Sequence, residues 1–318
     1  MDITVIFWGA FIAIFFLVFG IDMYVTDHRK GPVKIKTALS WTCVWITVAL
    51  SYGAALFFFY PNGQVKAFEY ITGYLTEYSL SVDNLFVFIM IFSVMGIREK
   101  NQPLMLKIGI LASIFLRIVF ILFGSELIHR FHYVIYIFGA ILLYTAYKMA
   151  FTEDEEIDPE ENYFYRLVSK YFPVETNPDV EHFFVRKSGK LHVTTLFLIF
   201  ILIGTTDILF AFDSIPAIFG ITTDPFIVIT SNVFAVLGLI SLFFALKGIM
   251  GMFRFLKHGV SFILLFVGIK MLISGIYVIP IHLSLIFIVL TLLMSILASV
   301  WIKEHALEVV ENDFITKE

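Results

Sequence analysis

Thr76-Glu77-Tyr78-Ser79-Leu80-Ser81-Val82-Asp83-Asn84-Leu85-Phe86 places two carboxylates and an amide inside an otherwise apolar segment. The pattern returns downstream as Thr206-Asp207-Ile208-Leu209-Phe210-Ala211-Phe212-Asp213-Ser214-Ile215-Pro216, where an acid again precedes an Asp by six residues and a small polar residue follows. A carboxylate at the middle of a bilayer costs about 2.5 to 3.5 kcal/mol on insertion scales, so such groups imply a compensating partner. The two acid motifs therefore predict a cation site within membrane-spanning helices.

The composition is that of an integral membrane protein. Of 318 residues, 59% are hydrophobic and 15% are charged, whereas a soluble domain has about 25% charged residues. The net charge of -4 and the scattered basic residues give no reason to expect a nucleic acid as a partner. The one cysteine, Cys43, cannot form an internal disulfide and is interpreted as a packing residue.

The apolar residues fall into stretches of about 20, the length that crosses a hydrocarbon core of about 30 Å. There are nine, at about 3–22, 39–60, 70–95, 104–124, 131–150, 193–216, 226–246, 258–277 and 281–302. We expect an all-α fold, a polytopic transmembrane helix bundle of about nine spans.

The connections between these stretches alternate in charge. Basic residues gather in the loops of one side, which also receives the polar segment 151–192, and the opposite loops are nearly neutral. By the positive-inside rule the N-terminus lies outside and the C-terminus in the cytoplasm, and we expect the protein in the cytoplasmic (inner) membrane of a bacterium. The chain then divides into membrane halves 1–150 and 193–302, a cytoplasmic linker 151–192 and a cytoplasmic tail 303–318. The acidic run of the linker, 153–156, is interpreted as solvated.

Internal similarity indicates a repeat. The end of predicted helix 5, Leu143-Tyr144-Thr145-Ala146-Tyr147-Lys148-Met149, resembles that of helix 8, Phe266-Val267-Gly268-Ile269-Lys270-Met271-Leu272, just as the acid motif of helix 3 resembles that of helix 6. Helices 3 to 5 therefore match helices 6 to 8. Units with an odd number of spans have opposite orientations, so we expect the inverted repeat common in secondary transporters, with binding near the repeat interface.

The acids of one motif cannot grip one ion on a straight helix, because residues six apart are separated by about 9 Å along its axis. Helices 3 and 6 run in opposite directions. We therefore expect an outer layer of Glu77 and Asp213 and an inner layer of Asp83 and Asp207. Pro216 lacks an N–H and leaves a backbone carbonyl free near Asp213, an irregularity that ion-binding helices use.

The chemistry of these motifs is that of oxygen ligands. Carboxylates, hydroxyls, the Asn84 amide and backbone carbonyls suit Mg²⁺, Ca²⁺ or Mn²⁺ and disfavour copper(I) and zinc. A purely structural alternative is that the acids pair with intramembrane bases, for which Arg117, Lys148 and Lys270 are available. Repetition of a whole motif on oppositely directed helices favours the cation site, and we expect the three bases to act as its counter-charges.

Several blocks of the sequence are similar to those of one family of membrane proteins. They are Gly73-Tyr74-Leu75-Thr76-Glu77-Tyr78-Ser79-Leu80-Ser81-Val82-Asp83-Asn84, Glu181-His182-Phe183-Phe184-Val185-Arg186, Phe210-Ala211-Phe212-Asp213-Ser214-Ile215-Pro216-Ala217, Thr222-Thr223-Asp224-Pro225-Phe226 and Thr230-Ser231-Asn232. Across nearly its whole length the chain resembles the TerC family, including its Alx branch, within the LysE-like transporter superfamily.

The resemblance implies, for several members, export of manganese from the cytoplasm; the family name reflects tellurium resistance. It also implies that Glu77, Asp83, Asp207 and Asp213 are the metal positions, with Asn84 beside them. We expect Ser214 and Asn232, which lie in the resembling blocks, to support them.

Two positions depart from the family pattern. Members typically carry a further Glu three residues before the first Asp of the second motif, where this chain has Gly204. They typically have Gly-Leu-Arg where this chain has Gly238-Leu239-Ile240. An acid and a base are missing together, which would leave the net charge unchanged if the two form a pair in other members.

The sequence thus predicts a secondary transporter that exports a divalent cation, Mn²⁺ before Ca²⁺ or Mg²⁺, in exchange for protons, with the inner acids contacting the metal first. No nucleotide-binding motif, bound cofactor or catalytic constellation is expected, so the protein is not interpreted as an enzyme. The alternative is a non-transporting membrane subunit of a tellurium-type stress-resistance complex. Whether the protein assembles with itself or with membrane partners is left open.

Overall fold

The computed structural model describes residues 3–25, 35–98, 101–131, 133–151, 159, 162–175, 182–187, 190–247 and 255–301. Within these ranges the side chains of residues 22–25, Asp83, Phe86, Lys190 and Asp213 are not described. The acidic run 153–156 and the predicted tail 303–318 lie outside the described residues.

The described chain is almost entirely helical, which confirms the predicted fold class. Its elements are α1 (Ile3–Val25), α2 (Ile35–Phe59), α3 (Gly63–Val94), α4 (Gln102–Arg130), α5 (Val134–Phe151), α6 (Tyr163–Tyr171), β1 (Val174–Glu175), β2 (Phe184–Lys187), β3 (Lys190–Thr194), α7 (Thr195–Phe219), α8 (Pro225–Leu237), α9 (Leu239–Lys247), α10 (Leu256–Ile273) and α11 (Ile281–Trp301).

Eight of the described helices are long and apolar enough to cross a membrane, and the pair α8 and α9, bent by 41° at Gly238, gives a ninth if the two cross it as one broken span. Predicted helices 6 to 9 correspond to α7, the α8–α9 pair, α10 and α11. Short turns at 60–62, 220–224 and 274–280 join consecutive spans at one end of the bundle, which we call the turn end. The opposite end, at which β3 leads into α7, is the linker end.

The turn before α3 is tighter than the sequence suggested, so this helix begins at Gly63 and not near residue 70. Asn62 has a left-handed backbone with φ of 51°, which Asn tolerates better than most residues. A Cβ at Gly63 would lie 2.4 Å from the Phe57 carbonyl oxygen, so the close return of the chain requires glycine there. Lys66 consequently belongs to α3 and not to a loop.

The α8–α9 span is at the centre of the bundle. Every residue of α8 from Phe226 to Leu237 is buried, as expected for a helix that is apolar all round. Asp224 caps its start by accepting from the Phe226 N–H over 3.0 Å, and Pro225 occupies the first helical position. Helix α3 packs on α8, α7 packs on α4, and α1, α2 and α11 lie around them.

Helices α5 and α10 pack against each other in opposite directions, as the predicted inverted repeat requires. Aligning the Lys-Met pairs near the ends of these helices matches Gly139 with Ser261 and Ala146 with Gly268. In the structure Gly139 packs on Gly268, where a Cβ added to Gly139 would lie 3.1 Å from the Gly268 carbonyl oxygen. The Ser261 hydroxyl donates to the Ala146 carbonyl over 2.7 Å. Gly139 thus lies opposite Gly268 and Ala146 opposite Ser261, which makes the two helices antiparallel.

The segment predicted as a linker contains secondary structure. Strand β3 pairs in parallel with β1 and antiparallel with β2, and it leads directly into α7. Helix α6 packs against α7. The Asn162 side chain caps α6 by accepting from the N–H groups of Phe164 and Tyr165, both over 3.0 Å, and donates to the Thr205 hydroxyl over 2.8 Å. Part of the linker is therefore docked on the second membrane half.

Candidate functional site

Three charged side chains from different helices meet at the middle of the bundle. Glu77 is the fifteenth of the 32 residues of α3, Arg117 the sixteenth of the 29 of α4, and Asp207 the thirteenth of the 25 of α7. Each lies about halfway between the turn end and the linker end, where a bilayer is driest. We call these three residues the central cluster.

Arg117 joins the two acids of the central cluster. Its Nη1 donates to Glu77 Oε1, and its Nη2 lies 3.7 Å from Asp207 Oδ1. Two hydroxyls hold the guanidinium: Nε donates to Ser113 Oγ over 3.2 Å and Nη1 to Ser214 Oγ over 3.3 Å. Arg117 and Glu77 are only 1% exposed and Asp207 is 4% exposed. The planar fork of arginine suits such a bridge between carboxylates.

Each acid of the central cluster keeps one oxygen available. Glu77 Oε2 and Asp207 Oδ2 are buried and have no hydrogen-bond partner among the described residues. A buried polar atom without a partner is costly, and more so when the group is charged. A cation bound by these two oxygens would remove that cost.

Glu77 and Asp207 are the first acids of their motifs and so occupy equivalent positions of the repeat. The sequence places Glu77 in an outer layer and Asp207 in an inner one, and the structure corrects this separation. Both positions are near the midpoints of their helices, and the Arg117 fork spans the remaining gap. The side chains of Asp83 and Asp213 are outside those described, so their share in either layer stays a prediction.

Asn84 and Lys148 line a cavity of about 420 Å³ between α3, α5, α7 and α10. Asn84 is buried in its wall, whereas Lys148 is exposed. The described side chains form no group of three or more His, Cys, Asp or Glu residues suited to a metal ion. Asp83 and Asp213, the second acids of the two motifs, are not among these side chains.

Asn232 is the most deeply buried of the predicted supporting residues. It is 0% exposed, and within the described chain neither its amide nitrogen nor its amide oxygen has a hydrogen-bond partner. It follows Ser231, whose hydroxyl would lie 2.9 Å from a Cβ at Gly73, so this part of α8 contacts α3 one turn before Glu77. The hydroxyls of Thr76 and Tyr78 beside Glu77 are likewise buried without described partners.

Lys270 is not part of the central cluster. It lies near the turn end of α10, where its ammonium donates to Ser284 Oγ over 3.2 Å. Of the three bases proposed as counter-charges, Arg117 is the one that the structure brings to Glu77 and Asp207. Sequence reasoning missed Ser113, although a serine one turn before an intramembrane arginine is a readable signal of a held guanidinium.

A second group of polar side chains lies at the turn end. Lys66 Nζ lies 3.0 Å from Glu69 Oε2 and 2.8 Å from Asp224 Oδ2, and the Thr222 hydroxyl donates to Glu69 over 2.9 Å. These contacts tie the start of α3 to the start of α8. Two of the residues belong to the Thr222–Phe226 block, so the block has a structural role at this end.

The two departures from the family pattern differ in their surroundings. A Cβ at Gly204 would meet nothing within 4 Å, so there is open space one turn before Asp207. Ile240 is 1% exposed within α9. The position that typically carries the acid is thus open here, and the position that typically carries the base is packed with apolar neighbours.

Comparison with known proteins gives consistent matches. The family described as "Integral membrane protein TerC family" matches residues 62–307. A protein of Escherichia coli (strain K12) named "Putative membrane-bound redox modulator Alx" is 40% identical over 306 residues, covering 94% of this chain and 95% of that protein. A Shigella flexneri protein of the same name is also 40% identical, over 94% of this chain and 96% of its own. "Uncharacterized membrane protein STKORF319" of Myxococcus xanthus is 42% identical, with 94% and 93% covered. No solved structure matches the chain significantly.

Proposed function

This chain belongs to the TerC family of integral membrane proteins, and from that premise we propose that it is a secondary transporter that exports a divalent cation, Mn²⁺ foremost, from the cytoplasm. The observation that carries the proposal is the central cluster: the first acids of two inverted motifs meet near mid-membrane, each with one unpartnered oxygen. Binding at the interface of inverted repeats is the usual arrangement of secondary transporters.

The ligand chemistry supports Mn²⁺, Ca²⁺ or Mg²⁺, which prefer carboxylate and other oxygen ligands. Glu77 and Asp207 would supply two carboxylates, and Asp83 and Asp213 are proposed to complete the set with Asn84. A carboxylate that loses a cation in a dry environment readily takes up a proton. Exchange of the metal for protons therefore remains the proposed coupling.

Arg117 would compete with the metal for the same carboxylates. A divalent ion bound to Glu77 and Asp207 would neutralise the two carboxylates in place of the guanidinium. When the ion leaves, the guanidinium would pair with them again, because an unpaired buried charge is costly. The arginine is thus a tethered cation that stabilises the empty site. Exchange of contacts between the two repeats would open the site to each side in turn.

The proposed direction follows from charge. Basic residues of the described chain gather at the linker end, among them Arg98, Lys107, Lys247 and Lys257. We propose that this end faces the cytoplasm of a bacterium, with the N-terminus outside.

Manganese flux into proteoliposomes tests the proposal. Glu77→Gln and Asp207→Asn should each reduce Mn²⁺ flux to near background while the protein remains folded. Glu126→Gln is a matched control, because Glu126 lies on α4 but is 69% exposed and, among the described residues, pairs with Arg130 of the same helix. Flux in both cluster variants equal to that of the control would refute the proposal.

A structural, non-transporting role is the second candidate, because Arg117 already balances part of the charge of the acids. As a subunit of a tellurium-type resistance complex, the protein would need the cluster only to fold. Glu77→Gln and Asp207→Asn would then lower the amount of folded protein without a specific loss of flux.

Cys43→Ser tests the redox role stated in the name of the Alx relatives. If cells that carry this variant lose their stress resistance while Mn²⁺ flux is unchanged, the redox role is favoured.

A further inference from the structure

The cavity beside Asn84 combines apolar walls with two lysines. Leu209 and Leu264 are among its apolar lining residues, and Lys148 and Lys257 are its charged ones. Its volume of about 420 Å³ is within the range of ligand sites. The chemistry is therefore that of an amphipathic ligand with a negative group.

The lysines and the apolar wall lie at different depths. Lys148 is the fifteenth of the 18 residues of α5 and Lys257 the second of the 18 of α10, so both are at the linker end. Leu209 is the fifteenth of the 25 residues of α7, past the middle of its helix. The cavity thus runs from the headgroup level toward the centre of the bilayer.

The cavity also opens sideways to lipid. Tyr144 on α5 and Leu209 on α7 are 68% and 64% exposed although both line it. Exposed side chains on membrane-spanning helices face acyl chains, so a lipid can enter without crossing the protein. A cation approaching by this route would meet two ammonium groups, which disfavours its use as the cation path.

We propose that this groove binds an anionic phospholipid, with its phosphate on Lys148 and Lys257 and one acyl chain along Leu209 and Leu264. Basic pockets between helices near a membrane surface are a known means of binding such headgroups. An ammonium has three N–H donors, so each lysine can bind a phosphate oxygen while keeping another contact. Because buried Asn84 lies in the inner wall, the bound chain would seal the groove beside the second acid of the first motif.

Lipid binding to the full-length protein in detergent, measured by native mass spectrometry, tests the site. Wild-type protein should retain phosphatidylglycerol in preference to phosphatidylcholine. Affinity for phosphatidylglycerol should fall about fivefold in Lys148→Gln and about thirtyfold in Lys148→Gln/Lys257→Gln. Lys270→Gln is the matched control, because Lys270 is a half-buried lysine near the other end of α10. It should bind phosphatidylglycerol like the wild type.

A second variant separates the headgroup from the chain. Leu209→Trp fills the groove but keeps both lysines, and it should also lower phosphatidylglycerol retention. The proposal is overturned if the double lysine variant retains as much phosphatidylglycerol as Lys270→Gln, as expected if the lysines only pair with acids. It is also overturned if inorganic phosphate competes as well as the lipid does, since the site would then bind a free anion.

Discussion

Arg117 is the residue on which the central cluster depends, because it is the shared partner of two acids that lie on different repeats. Its removal leaves two buried carboxylates without their described cation. Removing one partner of a buried ion pair is far more costly than losing a surface pair, because the remaining charge cannot reach water. The residue therefore links the stability of the bundle to the occupancy of the site.

Arg117→Ala should destabilise the protein by about 3 to 5 kcal/mol, and Mn²⁺ should recover part of the loss by replacing the missing charge. Thermal unfolding in detergent with and without Mn²⁺ measures both effects. Arg130→Ala is the control on the same helix: it breaks an exposed pair with Glu126, worth about 0 to 1 kcal/mol. Equal losses in the two variants, or no response to Mn²⁺ in Arg117→Ala, would contradict the assigned role.

Gly204 and Ile240 can be tested as a missing pair. Ile240→Arg alone should destabilise the protein, because a guanidinium replaces a side chain that is 1% exposed. Gly204→Glu should be tolerated, since its Cβ enters open space. We expect a favourable coupling of about 0.5 to 3 kcal/mol in the double-mutant cycle, measured by thermal unfolding. Additive effects would show that the two positions do not interact in this chain.

For single residues, the sequence identified charged side chains that are buried in the bundle, but not which of them contact one another. Glu77, Asp207 and Arg117 are readable because ionisable residues in an apolar run need compensation. The exclusion of Lys270 from the cluster is not readable, because the helical position of a lysine does not determine where its long side chain ends. The prediction that Glu77 and Asp207 lie in separate layers was wrong. It used only the rise per residue along the helix axis and did not consider how far the side chains extend.

Among the elements, α6 shows how a short helix is fixed to a membrane-spanning one. Asn162 both caps α6 and binds Thr205, the eleventh of the 25 residues of α7. The start of α6 is thereby held alongside α7 rather than beyond its end.

Asn162→Ala should increase amide hydrogen exchange across α6, because it loses both the cap and the bond to α7. A lost cap alone costs about 0.5 to 2 kcal/mol. Thr205→Val is the informative comparison, since it removes the bond to Asn162 and the hydroxyl's own bonds within α7 but leaves the cap of α6 intact, so it should give a smaller increase. The account of α6 fails if exchange is unchanged in Asn162→Ala.

The glycine contact between α5 and α10 should be sensitive to added bulk. Gly268→Val pushes side-chain atoms toward the Gly139 carbonyl, which lies 3.1 Å from a Cβ at Gly268, and backbone cannot move aside as a side chain can. We expect a clear drop in the melting temperature of the purified protein. Gly9→Val on α1, where a Cβ meets nothing within 4 Å, should have little effect. A similar drop in both would mean that helix propensity, not packing, decides the outcome.

For the molecule as a whole, hydropathy and run length predicted the spans, because only helices and closed barrels satisfy the backbone in lipid. The bend at Gly238 was not predicted, since α8 and α9 read as one apolar run. The docked α6 and the small sheet were not predicted either, because the segment 151–192 was interpreted from its charge alone. The inverted repeat was predicted from the acid motifs, and the antiparallel packing of α5 and α10 is consistent with it.

The midpoint position of the central cluster has an electrical consequence. A site halfway through the bilayer lies at about half of the transmembrane voltage. Moving one elementary charge across the full voltage changes its energy by about 2.3 kcal/mol per 100 mV, so a divalent ion exported through this site would meet about that amount on each side of it. Entry of the ion from the cytoplasm and its exit to the outside would then both depend on voltage, and voltage would slow the two steps to the same extent.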